Sequence, residues 1–375
     1  MKIKKKVLLV ANNGPEPSFG GGQRNILIGK LLEDQGFEVE MVLLIDSNWG
    51  EYSYQSDLIN KWNNIFHIVK LFQPDFSNPF FIDLKVYNFL RRIQKNYDWI
   101  IFRYEKTAFK SGFYLLNRNR IIIDFDDFNL KFLKGIKKNL HSFRHVFQLA
   151  FIKKALITDE NIAKYFCSNT ICVPNLPLIE FYSTEAEVKF EKERTSFPSV
   201  FHICNNISSL IEFVNSDDYV EFSKTHANFK LFVVNRSQLN KKSFNQEKNN
   251  KCNNLEWYED LHDISIIYKK SWIQLILEKK EVGTHIKLIE SQYYLTPVVC
   301  FEEAIRGYEK FNEKSELILC AQSNKGLLKN IERLIVNHIE LNFIIKESKK
   351  VQESFFSFKS ISQQIRTQKY FLNSI

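Results

Sequence analysis

The chain has 375 residues, 44% of them hydrophobic, and a formal charge of +9 at neutral pH. Its 34 Phe and 15 Tyr against only 8 Pro and 12 Gly exclude collagen-like and disordered chains, and its length favours two domains over one. The positive excess favours anionic partners: nucleotide phosphates, an acidic membrane surface or nucleic acid.

The start, MKIKKKVLLVANNG, has the charge of a signal peptide, but its apolar stretch runs only from Val7 to Ala11, which suits a buried first strand. No other run reaches the roughly 18 uncharged apolar residues of a membrane span, so a cytoplasmic protein is expected. Lys6 to Ala11 reads as a strand, NNGPEPSFGGGQRN as a glycine-rich loop, Ile26 to Gln35 as a helix stopped by Gly36, and Glu38 to Ile45 as a second strand. This opening is that of a parallel α/β sheet. YDWIIF (97–102), RIIID (120–124), ALITD (155–159) and TICVPN (170–175) continue it as short apolar runs ending in polar residues, the form of strands that deliver side chains to a crevice at their carboxyl ends.

Within IIIDFDDF, Asp124, Asp126 and Asp127 admit two readings: a strand-end carboxylate set, with Asp127 orienting a hydroxyl, or an Asp-x-Asp metal site. Arg103 and Glu105 would sit beside them. His141 and His145 have the spacing of zinc ligands, but no third ligand accompanies them. The segment 131–154 holds seven Lys or Arg and no acid, with Phe132, Ile136, Leu140, Phe143 and Phe147 on one helical stripe. It suits either a core-facing helix with a basic back or docking on an anionic bilayer. Nucleic acid is disfavoured, because no DNA- or RNA-binding signature accompanies the charge.

Proline punctuation and charge between Pro174 and Pro198 mark a domain connection. A second series of strands follows in SVFHIC (199–204), FKLFVV (229–234), WIQLIL (272–277) and TPVVCF (296–301), with a helix over Ile207 to Val214 and a solvated loop over 240–254. The six cysteines, Cys167, Cys172, Cys204, Cys252, Cys300 and Cys320, include no C-x-x-C pair and read as reduced, mostly buried thiols. In GTHIKLIES, Gly283 and Thr284 can open a helix whose free N–H groups bind phosphate, with His285 and Lys287 in the first turn and Glu290 a turn deeper, where a carboxylate can accept two ribose hydroxyls. The same spacing also suits an ordinary amphipathic helix burying Ile286, Ile289 and Tyr293.

Gly283, Thr284, Lys287, Glu290, Pro297, Val298, Val299 and Gly307 together resemble the donor-site run of GT-B fold glycosyltransferases of the family 4 type, with His285 where that pattern has Arg. GGGQRN resembles the family's glycine-rich loop after the first strand, and VPN (173–175) the close of its N-terminal domain. Where some members carry a first acid this chain has Val282, with Glu281 displaced by one position. Where many relatives place an Arg and a Lys to neutralise pyrophosphate, it offers Asn205 and Asn206, with Arg236 as a substitute. Tyr294, Leu295 and Thr296 stand where small residues are usual.

The resemblance implies an α/β protein of GT-B fold, two Rossmann-like domains facing across a cleft: an acceptor domain at 1–180, a donor domain at 195–350 and a C-terminal helical segment at 351–375, free to pack back on the first domain. It implies transfer of a sugar from a nucleotide diphosphate sugar to a glycan or lipid-linked acceptor in polysaccharide or glycolipid assembly, with retention, without a cofactor or obligatory metal, at the inner face of a membrane. Gly21, Gly22, Asn205, Arg236, Gly283, Thr284, His285, Lys287 and Glu290 would then hold the donor, Gln23 and Arg24 the acceptor, and Asp127, Arg103 and Glu281 would be catalytic. A silent partner subunit, a nucleotide-sugar epimerase of the same fold, or a metal-dependent enzyme of the other large glycosyltransferase fold, GT-A, are the alternatives.

Overall fold

Apolar runs buried on both faces form parallel sheets, because the crossover helices cover each side. The computed structural model of the chain describes residues 5–12, 20–46, 55–76, 81–126, 151–160, 163, 166, 169–177, 194–204, 207–235, 254–259, 263–279 and 285–367. These divide into two compact units, Met1–Glu180 with Phe358–Ile375, and Phe181–Glu281 with His285–Ser357. Asp127, Asn205, Arg236, Glu281, Gly283 and Thr284 lie outside the described residues, as do His141, His145 and most of the basic segment 131–154.

In the first unit the chain runs β1 (Lys6–Asn12), α1 (Gly20–Asp34), β2 (Glu38–Leu44), α2 (Gln55–Asn63), β3 (His67–Phe72), α3 (Leu84–Ile93), β4 (Trp99–Arg103), α4 (Glu105–Lys110), β5 (Ile121–Phe125), β6 (Lys154–Ile157) and β7 (Asn169–Cys172). The strands are parallel, in the order β3-β2-β1-β4-β5-β6-β7. The second unit holds β8 (Ser199–Cys204), α5 (Ile207–Val214), α6 (Asp217–Thr225), β9 (Lys230–Asn235), β10 (Leu255–Glu259), α7 (Ser265–Lys270), β11 (Ile273–Ile276), α8 (Ile286–Tyr293), β12 (Val298–Phe301), β13 (Ile318–Ala321), α9 (Asn324–Val336) and α10 (His338–Phe355). Its parallel order is β10-β9-β8-β11-β12-β13. Both units are Rossmann-like. In each, the strand order reverses once, between β1 and β4 and between β8 and β11, which opens a crevice at the carboxyl ends there.

The helix after β1 starts at Gly20, ahead of the expected Ile26, so GGGQRN is its first turns and not a loop. Glycine's poor helix propensity is overridden by burial: Arg24 and Asn25 are enclosed and bonded to strand-end residues of the sheet. The helix ends where expected, with Gly36 at φ +88° accepting the left-handed turn. Three strands lie beyond the sequence reading, β3, β10 and β13. All are edge strands, paired on one side only, and so lack the long apolar run of a central strand.

A final helix, α11 (Phe358–Thr367), belongs to the first unit. It lies along the end of α1, where Arg366 Nη2 meets Asp34 Oδ2 at 2.7 Å and Gln35 Nε2 donates to Ser362 Oγ at 3.0 Å. Ile365 closes over an apolar cavity lined by Ile28, Leu31 and Leu32 of α1 and by Ile101, Ile122, Leu156 and Ile171 of the sheet. No described helix is long and apolar enough to cross a membrane.

Gly29 shows how tightly α1 is seated. A Cβ there would fall 2.2 Å from Cζ of the buried Phe66 ring. Helix propensity alone would make Gly29→Ala stabilising by about 1 kcal/mol. Overpacking opposes it at about 1–3 kcal/mol, and we expect net destabilisation, read as a lower urea midpoint. A midpoint at or above that of the parent would refute the close packing.

Candidate functional site

The carboxyl edge of the first sheet carries a chain of buried charges. Arg24, in the second turn of α1, sets Nη2 2.8 Å and Nε 3.4 Å from the two oxygens of Asp124 at the end of β5. Its Nη1 donates to the Val173 carbonyl and, at 3.2 Å, to Asn175 Oδ1. Arg103, the last residue of β4, contacts the same Asp124 carboxylate through Nη1. Its Nη2 reaches Asp126 Oδ2 at 3.2 Å, and its Nε donates to Asn25 Oδ1 at 2.6 Å. Asp126 also accepts from Tyr104 OH at 2.8 Å and Asn175 Nδ2 at 3.0 Å. Burial would raise its pKa, but Arg103 and Arg24, with these two hydrogen bonds, hold it below the ordinary carboxylate range. Two guanidiniums thus balance two carboxylates in a place where unpaired ions would be costly.

Tyr104 carries this network on a strained backbone. Its φ is +66°, rare for a bulky residue, and its ring lies 4.6 Å from the Arg103 guanidinium. Such strain costs on the order of 1–3 kcal/mol and is held only where surrounding bonds fix it. Gln23 is buried beside Arg24, Gly22 is buried and Gly21 half-buried at the start of α1. Among the described residues no group of three or more His, Cys, Asp or Glu is placed to hold a metal. Asp124 and Asp126, the two carboxylates of the Asp-x-Asp reading, are each engaged by arginine.

A second buried cluster stands at the corresponding edge of the second sheet, at the β8/β11 reversal. Lys287, the second residue of α8, pairs with Glu278, which follows β11, and its Nζ donates to the Ile203 carbonyl of β8 at 3.4 Å. Their side chains are 9% and 15% exposed. His202 on β8 is buried, and its Nδ1–H donates to the Leu275 carbonyl at 3.0 Å, which leaves Nε2 as a bare lone pair. His285 stands just before α8 and makes no capping bond. His202 Nε2, His285 Nε2 and Glu278 Oε2 are buried atoms with no hydrogen-bond partner in the described structure.

Electrostatics fixes the charge states. Burial, then the Lys287 charge, pulls His285 down to about 4. Burial pulls His202 to about 4 as well, against the opposing Glu278 carboxylate. Burial would raise Glu278, yet the Lys287 ammonium, by its charge and its hydrogen bond, keeps it low and ionised. At neutral pH the cluster is one cation, one anion and two neutral imidazoles.

Glu290 lies a turn further into α8, buried, and its Oε2 accepts from Tyr268 OH at 3.0 Å. The Tyr268 ring is stacked on Tyr294 at 4.5 Å and 12°, so the large residue at 294 braces the hydroxyl that meets Glu290. Leu295 follows with φ +53°, held by Thr296 N–H on the Ser291 carbonyl at 2.9 Å. Of the expected residues here, His285, Lys287 and Glu290 come together on one helix. Glu278 and His202 were not foreseen, since each looks like a lone polar residue at or inside an apolar strand.

No family model matches the chain, and no curated protein matches it. Solved structures do. A sucrose-phosphate synthase from Thermosynechococcus elongatus is 14% identical, with 99% of this chain and 100% of that chain covered and a TM-score of 0.70. A glycosyltransferase from Rickettsia africae is 14% identical over 98% of both chains, at a TM-score of 0.71. The Anabaena protein HepE in complex with UDP is 14% identical, covers 99% of this chain and 100% of its own, and gives 0.69. With the two Rossmann-like sheets, these likenesses show the GT-B fold.

The charge states carry a pH dependence. A histidine with an ordinary value of 6.5 and a folded value of about 4 stays neutral in the folded chain while the unfolded chain takes up a proton. Stability is therefore complete above pH 6.5, falls as pH drops towards 4, and levels off below, at on the order of 3 kcal/mol per histidine. Glu278, depressed in the fold, adds loss below its unfolded value. We expect thermal midpoints to fall across this window with nearly two protons taken up on unfolding, and His202→Gln to remove about one. A flat profile from pH 6.5 to 4 would contradict the buried neutral histidines.

Proposed function

We propose that the protein is a glycosyltransferase that takes a sugar from a nucleotide diphosphate sugar and passes it, with retention, to a glycan or lipid-linked acceptor in polysaccharide or glycolipid assembly. The observation that carries this reading is the placement of His285, Lys287 and Glu290 on one helix start at the strand reversal of the second sheet, in a chain of GT-B fold. Lys287 stabilises the departing diphosphate, because a donor fixed in a buried site needs no reorganisation as charge develops. Glu290 binds the ribose hydroxyls, its position set by Tyr268. Gly283, Thr284, Asn205 and Arg236 complete the donor site in this reading. HepE, a structure of similar fold, is in complex with UDP, which supports a nucleotide diphosphate as ligand.

The first unit supplies the acceptor side. Gln23 and Arg24 of α1 are assigned to the acceptor, Gly21 and Gly22 to the donor, Arg24 and Arg103 position Asp124 and Asp126, and the proposed catalytic residues are Arg103 and Asp127 of this unit and Glu281 of the second. The basic segment 131–154 holds this unit on anionic lipid at a cytoplasmic membrane face. Two donor-side variants test the reading: Lys287→Ala and Glu290→Ala should each weaken nucleotide-sugar affinity by about 1–3 kcal/mol while the fold persists, as loss of a charged hydrogen bond would. Unchanged affinity in both would remove α8 from the donor site. Turnover should also survive EDTA, because Asp124 and Asp126 are each engaged by a guanidinium; activity lost to EDTA and restored by manganese would return those carboxylates to a metal role.

A further inference from the structure

Glu278 has no part in the donor-site motif, yet it is the partner of the motif's lysine. The pair is asymmetric. Lys287 stands on the first turn of a regular helix and also bonds a strand carbonyl, so its ammonium is held in place. Glu278 belongs to the irregular stretch after β11, is the more exposed of the two side chains, and spends only Oε1 on the lysine. Its Oε2 is buried without a hydrogen-bond partner. A carboxylate satisfied through one oxygen is a poorly solvated ion, and moving it to water recovers that deficit. Beside it His202 Nε2 is likewise buried and bare, an independent sign that a polar group from outside the described cluster belongs here.

We propose that Glu278 is a displaceable counter-ion: the diphosphate of the donor replaces it on Lys287, and the carboxylate swings out toward solvent. The inference rests on the reading of α8 as the donor site. A diphosphate and a carboxylate on one ammonium would repel each other across a few ångströms of low-dielectric interior, so one must leave, and the one on the irregular stretch is free to do so. Glu278 then acts as a selectivity device. A ligand with a single weak negative charge gains little by replacing a carboxylate, whereas a diphosphate, with more charge and several acceptor oxygens, does gain. The residue therefore lowers affinity for diphosphates while excluding lesser anions such as acetate or monophosphate.

Calorimetric titration of the full chain with UDP, uridine and inorganic pyrophosphate tests this. Glu278→Gln keeps the shape and removes the charge, and we expect it to bind UDP and pyrophosphate about tenfold tighter than the parent chain, with uridine unchanged. Inorganic monophosphate should bind measurably only to the variant. A purely structural role for Glu278 would weaken UDP and uridine alike. If the variant fails to fold, Glu278→Asp, with a shorter reach to the ammonium, should shift UDP affinity in the same direction by a smaller factor. Binding of UDP by the variant equal to or weaker than that of the parent overturns the counter-ion role while leaving α8 as the donor site. Binding of neither UDP nor pyrophosphate by any of the proteins overturns the donor-site reading itself. A parent chain that is silent and a variant that binds would support the counter-ion in its strongest form.

Discussion

Two guanidiniums converge on the carboxylate of Asp124, and none of the three side chains has any exposure to water. An ion in such a place is tolerable only with its opposite beside it, and removal of one partner leaves the others stranded. The arrangement therefore constrains everything around it. Arg24 comes from α1, Arg103 from β4 and Asp124 from β5, so the helix start and both strand ends must meet in one register. That requirement keeps three consecutive glycines helical, and it sets Tyr104 in a conformation a tyrosine would not otherwise choose.

The second sheet solves the same problem with fewer charges. One ammonium and one carboxylate neutralise each other, and two imidazoles stay uncharged because the neighbourhood will not admit another cation. The first cluster is held by ion pairs among its own arginines and aspartates and works as a structural joint. In the second, His202 Nε2, His285 Nε2 and Glu278 Oε2 are left without a hydrogen-bond partner.

Much of this was legible in the sequence, and the limits have physical causes. Central strands such as KVLLVAN and SVFHIC announce themselves because burial on both faces demands an unbroken apolar run. Edge strands such as LEWYE do not, being half solvated. The helix carrying His285, Lys287 and Glu290 could be read from spacing, but its partner Glu278 could not, since the contact between positions 278 and 287 is visible only in space. Arg24 and Arg103 are visible in the sequence as charges, whereas the carboxylates that match them are found only in space. At 14% identity the solved structures show the fold, and the pairs had to be found in space.

The first unit is assembled from both ends of the chain, since α11 closes on α1 through contacts such as Arg366 with Asp34, 332 positions apart. A ribosome makes α1 before the second unit and α11 after it. The apolar bed of Ile28, Leu31, Leu32, Ile101 and Ile122, which Ile365 covers, must therefore stay uncovered while the whole second unit is synthesised. Throughout that interval the nascent protein presents a greasy surface that chaperones can recognise and that neighbouring nascent chains can adhere to. The last helix is then the latch whose arrival ends the vulnerable period, and premature termination anywhere before it would leave a product with two sheets formed and a sticky face on one of them.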